Sequence, residues 1–383
     1  MRANVVNTKI EISTLSLPAG DLEIAVNRSC APLEALCGFA ARLNPKRGFL
    51  FVSKVLGRHI PVRPSVMRRT YRDLSAMVAD DLPGPVLFVG MAETAICMGT
   101  GVFDEWVRRT GRHDALFVHT TRYAFDAAPA FAFREEHSHA TGHNVCVPVD
   151  PRDADLMRSA RTLVLVDDEA STGKTFGNFV RAAGSFCVDV ERLVCVVLTD
   201  WSGGRAKTAA AVAAGVPADL VSLLEGEYRF ERNPDAPTVK MPNLEGDGRS
   251  RSAVLRTNYG RFGIRKDPCT PAEIADNLAL RTGERALVLG TGEFVWAPFR
   301  LAELLEARGV DAWCQATTRS PIMVGHAIAN ALTFRDNYGD GIQNYLYNAI
   351  GCGYDRVVLC LETPAHSADP ELAAALSADI VCF

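Results

Sequence analysis

No CxxC pair occurs in this sequence, although it holds 11 cysteines scattered from Cys30 to Cys382. Without paired spacing neither a disulfide framework nor a zinc site is indicated, and reduced, mostly buried thiols are expected. No apolar run approaches the ~20 residues that span a bilayer. The longest, around Pro85–Val89 and Arg285–Leu289, have the length of strands. Met1–Asp21 lacks the charged start and apolar centre of a signal peptide, so a cytoplasmic protein with no membrane contact is expected. Nor is there an excess of basic charge: the formal net charge is −4. That leaves no field to hold nucleic acid and favours a small ligand. A helix-turn-helix is missing as well.

What is present is ordinary globular material, 48% hydrophobic and 22% charged, over 383 residues. This is roughly two to three times the usual domain size. Short apolar runs alternate with longer amphipathic stretches: Val86–Val89, Ala115–His119, Thr162–Val166, Leu193–Leu198, Ala286–Leu289, Ala312–Gln315 and Arg356–Leu361. The rhythm is that of an α/β protein, a parallel sheet covered by helices. Between Glu231 and Arg251, prolines, glycines and charges replace the pattern, as in an exposed connection. The expected organisation is a domain over 1–235, a linker over 236–265 and a second, smaller α/β domain over 266–383.

The halves carry the same landmarks in the same order. One strand ends in Gly90 with Glu93 beyond it, the next ends in Thr120-Thr121-Arg122, and a third ends in Asp167. The second half offers Gly290 with Glu293, Thr317-Thr318-Arg319, and Glu362, which suggests a duplicated α/β unit.

The run Leu163-Val164-Leu165-Val166 reads as a strand buried on both faces. Asp167 and Asp168 follow at its carboxyl end, the edge where open α/β sheets bind ligands. Ser171-Thr172-Gly173-Lys174-Thr175 then lead into a helix near Phe176, gathering hydroxyls and main-chain N–H groups into a phosphate cradle. Paired carboxylates suit the vicinal hydroxyls of a ribose 5-phosphate. A nucleoside triphosphate fits less well, because a Walker loop would need glycine where Asp168 stands. The plain alternative is that the aspartates and Ser171 only cap a strand and a helix.

The run LVLVDDEASTGKT resembles the phosphoribosyl pyrophosphate signature of type I phosphoribosyltransferases, departing from it at Glu169-Ala170. The whole chain is similar to two-part phosphoribosyltransferase-like proteins found beside tellurium-resistance and stress genes in bacteria. Their second part is named for a TRSP motif, here Thr318-Arg319-Ser320-Pro321. The resemblance implies a parallel sheet of the type I kind and transfer of ribose 5-phosphate to a base-like acceptor, with pyrophosphate leaving. A non-catalytic phosphosugar- or nucleotide-binding regulator on the same fold is the alternative. Asp167 and Asp168 would position the ribose while Ser171–Thr175 hold the 5′-phosphate. Pyrophosphate would lie on Gly90-Met91-Ala92-Glu93-Thr94, with Arg122, Lys54 and Arg58 as candidate cations. Magnesium is implied, held mainly by the substrate and not by a protein cage. A phosphosugar or nucleotide is the expected partner, and a homodimer is allowed.

Between the TTR strand and the phosphosugar strand, Phe133–His143 is polar and contains three histidines and two glutamates. It stands where type I enzymes carry a hood, and Glu136 and His137 within it are catalytic candidates beside the two aspartates. A metal site and an ordinary solvated loop are its competing readings. In the second half, Thr317, Thr318, Arg319 and Ser320 with Gly290, Gly292, Glu293 and Glu362 form a candidate anion site. With no DDxxTG run there, that half either binds a nucleotide-like partner or completes the fold.

Overall fold

The computed structural model describes residues 11–42, 47–126, 129–134, 142–236, 246, 249–253, 255 and 257–383. It opens with β1 (Glu11–Leu17), β2 (Gly20–Ser29), a single turn α1 (Leu33–Leu36) and the hairpin β3 (Cys37–Ala41) and β4 (Phe49–Ser53). Then come α2 (Pro64–Met77), β5 (Val86–Gly90), α3 (Ala95–Thr110) and β6 (Ala115–His119). A hairpin of β7 (Pro129–Arg134) and β8 (Gly142–Cys146) precedes α4 (Pro151–Arg158), β9 (Thr162–Ala170), α5 (Lys174–Ala183), β10 (Arg192–Asp200), α6 (Arg205–Ala214) and β11 (Ala218–Arg232).

These strands form a seven-stranded sheet in the order β1-β2-β11-β10-β9-β5-β6. From β11 to β6 the neighbours run parallel, and β1–β2 extends the sheet antiparallel. Every residue of β5 and β6 is buried, which is why both are apolar but for His119 at the end of β6. α3 stops at Gly111, whose left-handed φ of 67° closes the helix. α4 starts at Asp150, which accepts from the Arg152 N–H at 2.8 Å ahead of Pro151.

The second half contains α7 (Ala272–Leu278), β12 (Arg285–Gly290), α8 (Trp296–Ala307), β13 (Asp311–Ala316), the hairpin β14 (Ala331–Arg335) and β15 (Gln343–Tyr347), β16 (Arg356–Leu361), α9 (Pro370–Leu376) and β17 (Asp379–Cys382). Its parallel sheet has the order β13-β12-β16-β17.

The halves repeat one plan. β5 lies between β6 and β9, and β12 lies between β13 and β16. A helix joins the first two strands of each set, and a hairpin intervenes before the third. Each hairpin is bridged to the threonine after the second strand, Thr121 to Asn144 and Thr318 to Tyr345. Register shifts one landmark of the expected match. Gly90 pairs with Val166 whereas Leu289 pairs with Leu359, so Glu362 stands level with Asp168 and not with Asp167.

A continuous apolar core runs through both halves, joining Tyr71 of α2 and Phe103 of α3 to Trp296, Phe299 and Ala302 of α8. The Tyr71 and Phe299 rings meet edge-on at 5.5 Å. The chain between the sheets is not an exposed connection along its whole length. Ile264 exchanges two 2.9 Å main-chain bonds with Phe117 on β6, the His119 N–H reaches Gly260 O at 3.1 Å, and Arg251 and Arg261 are buried. The sequence hides this docking because a strand edge can bind main chain of any composition. No helix among the described residues is long and apolar enough to cross a membrane.

Candidate phosphosugar site

β9 does not end at Val166. It runs through Asp167, Asp168 and Glu169 to Ala170, paired with β10, while β5 stops at Gly90 opposite Val166. The acids therefore stand on a strand extension one of whose flanks is open, and a cleft of about 160 Å³ occupies that space. After it, Gly173 takes a φ of +74° and caps α5. A Cβ there would come within 2.6 Å of Ala206 Cα, so both the conformation and the closeness of α6 require glycine. The main chain from Ser171 to Thr175 thereby turns into the cleft at the amino end of α5, where N–H groups and the helix dipole favour an anion.

Opposite lies the turn after β5, with a cis peptide between Ala92 and Glu93. The Thr120 hydroxyl accepts the Ala92 N–H at 2.9 Å and lies 2.8 Å from His143 Nδ1. Met91, Ala92, Glu93, Thr94 and Arg122 line the cleft together with Asp167, Asp168 and Ser171–Gly173. Arg122 gives hydrogen bonds to Ala92 O at 3.1 Å and Gly142 O at 3.2 Å.

Two further walls were not read from the sequence. The β3–β4 hairpin contributes Arg42, Arg47 and Leu50, and the second half contributes Thr318, Arg319 and Ser320. Arg47 pairs with Glu169 and lies over the Phe49 ring at 4.6 Å. Glu169, the departure from the family pattern, is thus met by its own cation. The basic segment NPKRG between two apolar runs was the available signal for this hairpin. His59 also lines the cleft, and burial together with Arg58 and Arg42 lowers its pKa to about 3.

Other candidates lie elsewhere. Lys54 gives its ammonium to Glu34 O at 2.8 Å and does not line the cleft. Arg58 is buried and holds three carbonyl oxygens, Glu93 and Thr317 at 2.6 Å and Gly292 at 2.8 Å. Its guanidinium braces main chain of both halves, a role that spacing alone cannot reveal. Glu135, Glu136, His137 and His139 lie outside the described residues. His143 does not belong to an open hood: it sits in β8, buried, stacked on Phe133 with ring centroids 4.6 Å apart.

The anion site expected in the second half is divided. Thr318, Arg319 and Ser320 face the first half's cleft, while Glu293 and Glu362 are engaged by the chain itself. Arg261 grips Glu362 through two bonds of 2.6 and 2.7 Å and reaches Glu293 at 3.2 Å. Tyr338 Oη lies 2.9 Å from both Glu362 Oε1 and Thr291 O. The positions matching Glu93 and Asp168 are therefore filled from within. Gly290 and Gly292 shape the turn beside them, the Gly292 N–H donating to Thr317 Oγ1 at 3.0 Å.

A family model described as phosphoribosyl transferase matches residues 36–227, and one described as the TRSP domain C-terminal to it matches residues 258–376. No curated protein matches. Among solved structures, adenine phosphoribosyltransferase from Trypanosoma brucei, in complex with AMP, pyrophosphate and ribose-5-phosphate, is 13% identical; the match covers 50% of this chain and 80% of that one, with a TM-score of 0.35. The Rhodothermus marinus adenine enzyme is 15% identical over 50% of this chain and 95% of its own, at 0.30. Orotate phosphoribosyltransferase from Aeropyrum pernix is 17% identical over 47% and 80%, at 0.28.

Proposed function

From a chain that belongs to the phosphoribosyl transferase family and carries the TRSP domain behind it, we infer transfer of ribose 5-phosphate from phosphoribosyl pyrophosphate to a base-like acceptor. The observation that carries the reading is the extension of β9 past the end of β5, with two aspartates on it and a phosphate cradle directly after. The 5′-phosphate would rest on Ser171–Thr175, where main-chain N–H groups at the start of α5 offset its charge. Asp167 and Asp168 would accept from the ribose hydroxyls, fixing C1′ between cradle and turn. Pyrophosphate would then point to the Gly90–Thr94 turn and the arginines around it.

In the reaction a nitrogen of the acceptor bonds to C1′, the C1′–oxygen bond breaks, and pyrophosphate departs with the electron pair. The proton of that nitrogen passes to a base, for which Glu136 and His137 are proposed. Among the described residues no cluster of three or more His, Cys, Asp or Glu could hold a metal ion alone. The donors present fit a magnesium ion that arrives with the substrate: Asp167 or Asp168 would help to hold it, with no protein cage. When bound it supplies charge neutralisation for the leaving group.

Incubation of the whole protein with phosphoribosyl pyrophosphate, magnesium and a panel of bases, read by mass spectrometry, tests this. A nucleoside monophosphate with equimolar pyrophosphate is expected, and none from Asp167→Asn/Asp168→Asn. Tight binding with no product from any base would favour the regulator, and wild-type affinity in the double variant would overturn the site.

A further inference from the structure

Each half of the molecule lends its TTR segment to the other. Thr121 Oγ1 and the Arg122 N–H both donate to the Glu293 carboxylate at 2.6 Å. In the matching place, Arg319 Nε lies 2.6 Å from Glu93 Oε1 and Thr318 Oγ1 lies 3.4 Å from Oε2. Yet the two exchanges surround different things. Beside Glu293 stands Arg261, which also grips Glu362, and Tyr338 bonds that Glu362 and packs its ring on Tyr123 at 4.5 Å. Beside Glu93 lies the phosphosugar cleft.

We propose that the TRSP half is a silent partner built into the chain, whose Thr318-Arg319-Ser320 segment completes the first half's site by receiving the pyrophosphate end of the ligand. This rests on the phosphoribosyl reading above. Three observations carry it. The segment lines the cleft on the side of the Gly90–Thr94 turn, because Arg319 is tied to Glu93 in that turn and Arg42 donates to Ser320 Oγ at 3.3 Å. Arg319 is held rigidly, its Nη2 3.2 Å from Tyr123 Oη and its guanidinium over that ring at 5.6 Å. A guanidinium so fixed loses little freedom on meeting a phosphate, which is where charge-assisted bonds are strongest. Finally, the second half has no phosphate cradle after β16 and fills its own counterpart site, so its TTR segment has no ligand of its own half to serve. Burial alone would raise the pKa of Glu93, but Arg319, Arg58 and Arg122 outweigh it and hold the carboxyl below its usual range. Glu93 thus stays charged and keeps Arg319 aimed.

The test is calorimetric titration of the full chain with ribose 5-phosphate and, separately, with magnesium pyrophosphate. Wild type, Arg319→Ala and Arg319→Lys are compared, and thermal unfolding of each is recorded. Arg319→Ala is expected to weaken pyrophosphate about tenfold or more, ~1.4 kcal/mol, while ribose 5-phosphate changes less than about twofold, with Arg319→Lys between. A merely structural arginine would lower the unfolding temperature and either spare both ligands or weaken them alike, and either result overturns the proposal. If wild type binds no ribose 5-phosphate, the phosphoribosyl reading fails first and takes this one with it. If it binds ribose 5-phosphate but pyrophosphate is indifferent to Arg319, only the role of the TRSP half falls.

Discussion

Thr120 and Thr317 do the same work in the two halves. Each gives its N–H to the strand glycine before the turn, Gly90 at 2.9 Å and Gly290 at 3.0 Å, and each hydroxyl accepts an N–H from inside that turn. Only the first turn borders the cleft. Replacing either threonine by valine strands a buried N–H, costing about 1–3 kcal/mol. Both variants should therefore lose comparable stability in urea unfolding. Thr120→Val alone should also weaken binding of magnesium pyrophosphate in calorimetry, and equal loss of affinity in both would separate the turn from the ligand.

Gly173→Ala should cost about 2 kcal/mol or more, since a left-handed alanine is strained and its Cβ also meets the Ala206 main chain. Gly204 supplies the comparison, with a φ of +85° and nothing within 4 Å of an added Cβ. Gly204→Ala should show the strain only, about 1–2 kcal/mol. Denaturant midpoints give both figures, and titration with ribose 5-phosphate should detect displacement of the cradle in Gly173→Ala alone.

Arg58→Met should destabilise the protein by roughly 3 kcal/mol or more, because three buried carbonyls lose one shared donor. Arg58→Lys should recover only part, as a single ammonium cannot reproduce the fork. Since the carbonyls belong to both halves, differential scanning calorimetry should show one transition moving and not two separating.

Acid should destabilise the fold below neutral pH. His59 and His119 are held near a pKa of about 3, mainly by burial, against an ordinary value of 6.5. The unfolded chain therefore binds protons first: stability is intact above pH 6.5 and falls as pH drops toward 3. The slope is ~1.4 kcal/mol per pH unit for each histidine. Urea unfolding at pH 7, 6 and 5 measures this, and His59→Gln should remove about half of the slope that the two histidines contribute.

Much of the architecture was legible because strands buried on both faces have no alternative composition. Val86–Val89, Ala115–His119, Leu193–Leu198 and Arg356–Leu361 lie within or coincide with β5, β6, β10 and β16. The repeat of Gly90 and Thr120 by Gly290 and Thr317 also proved structural, since each threonine hydroxyl accepts an N–H from the turn after its glycine. What escaped were relations that need the assembled molecule. Nothing in the spacing of Glu93 and Arg319 tells that they touch, nor that Arg261 fills the matching place. Arg58 reads as a candidate cation for pyrophosphate because a buried arginine that serves carbonyls has no local pattern. β9 was expected to stop at its last apolar residue, yet the strand continues through three acids because β10 still offers partners.

The docking of residues 260–264 against β6 has a consequence for how the protein is made. β6 is the outer strand of the large sheet, and it is synthesised well before the segment whose main chain covers it. Until that segment leaves the ribosome, the nascent first half presents an unpaired strand edge and the apolar faces of α2 and α3 that α8 later covers, a combination prone to self-association. Thr121 and the Arg122 N–H likewise wait for Glu293. The chain is thus expected to mature late: its first half keeps an open strand edge and uncovered helix faces during translation, and both are closed only when the last third has been added.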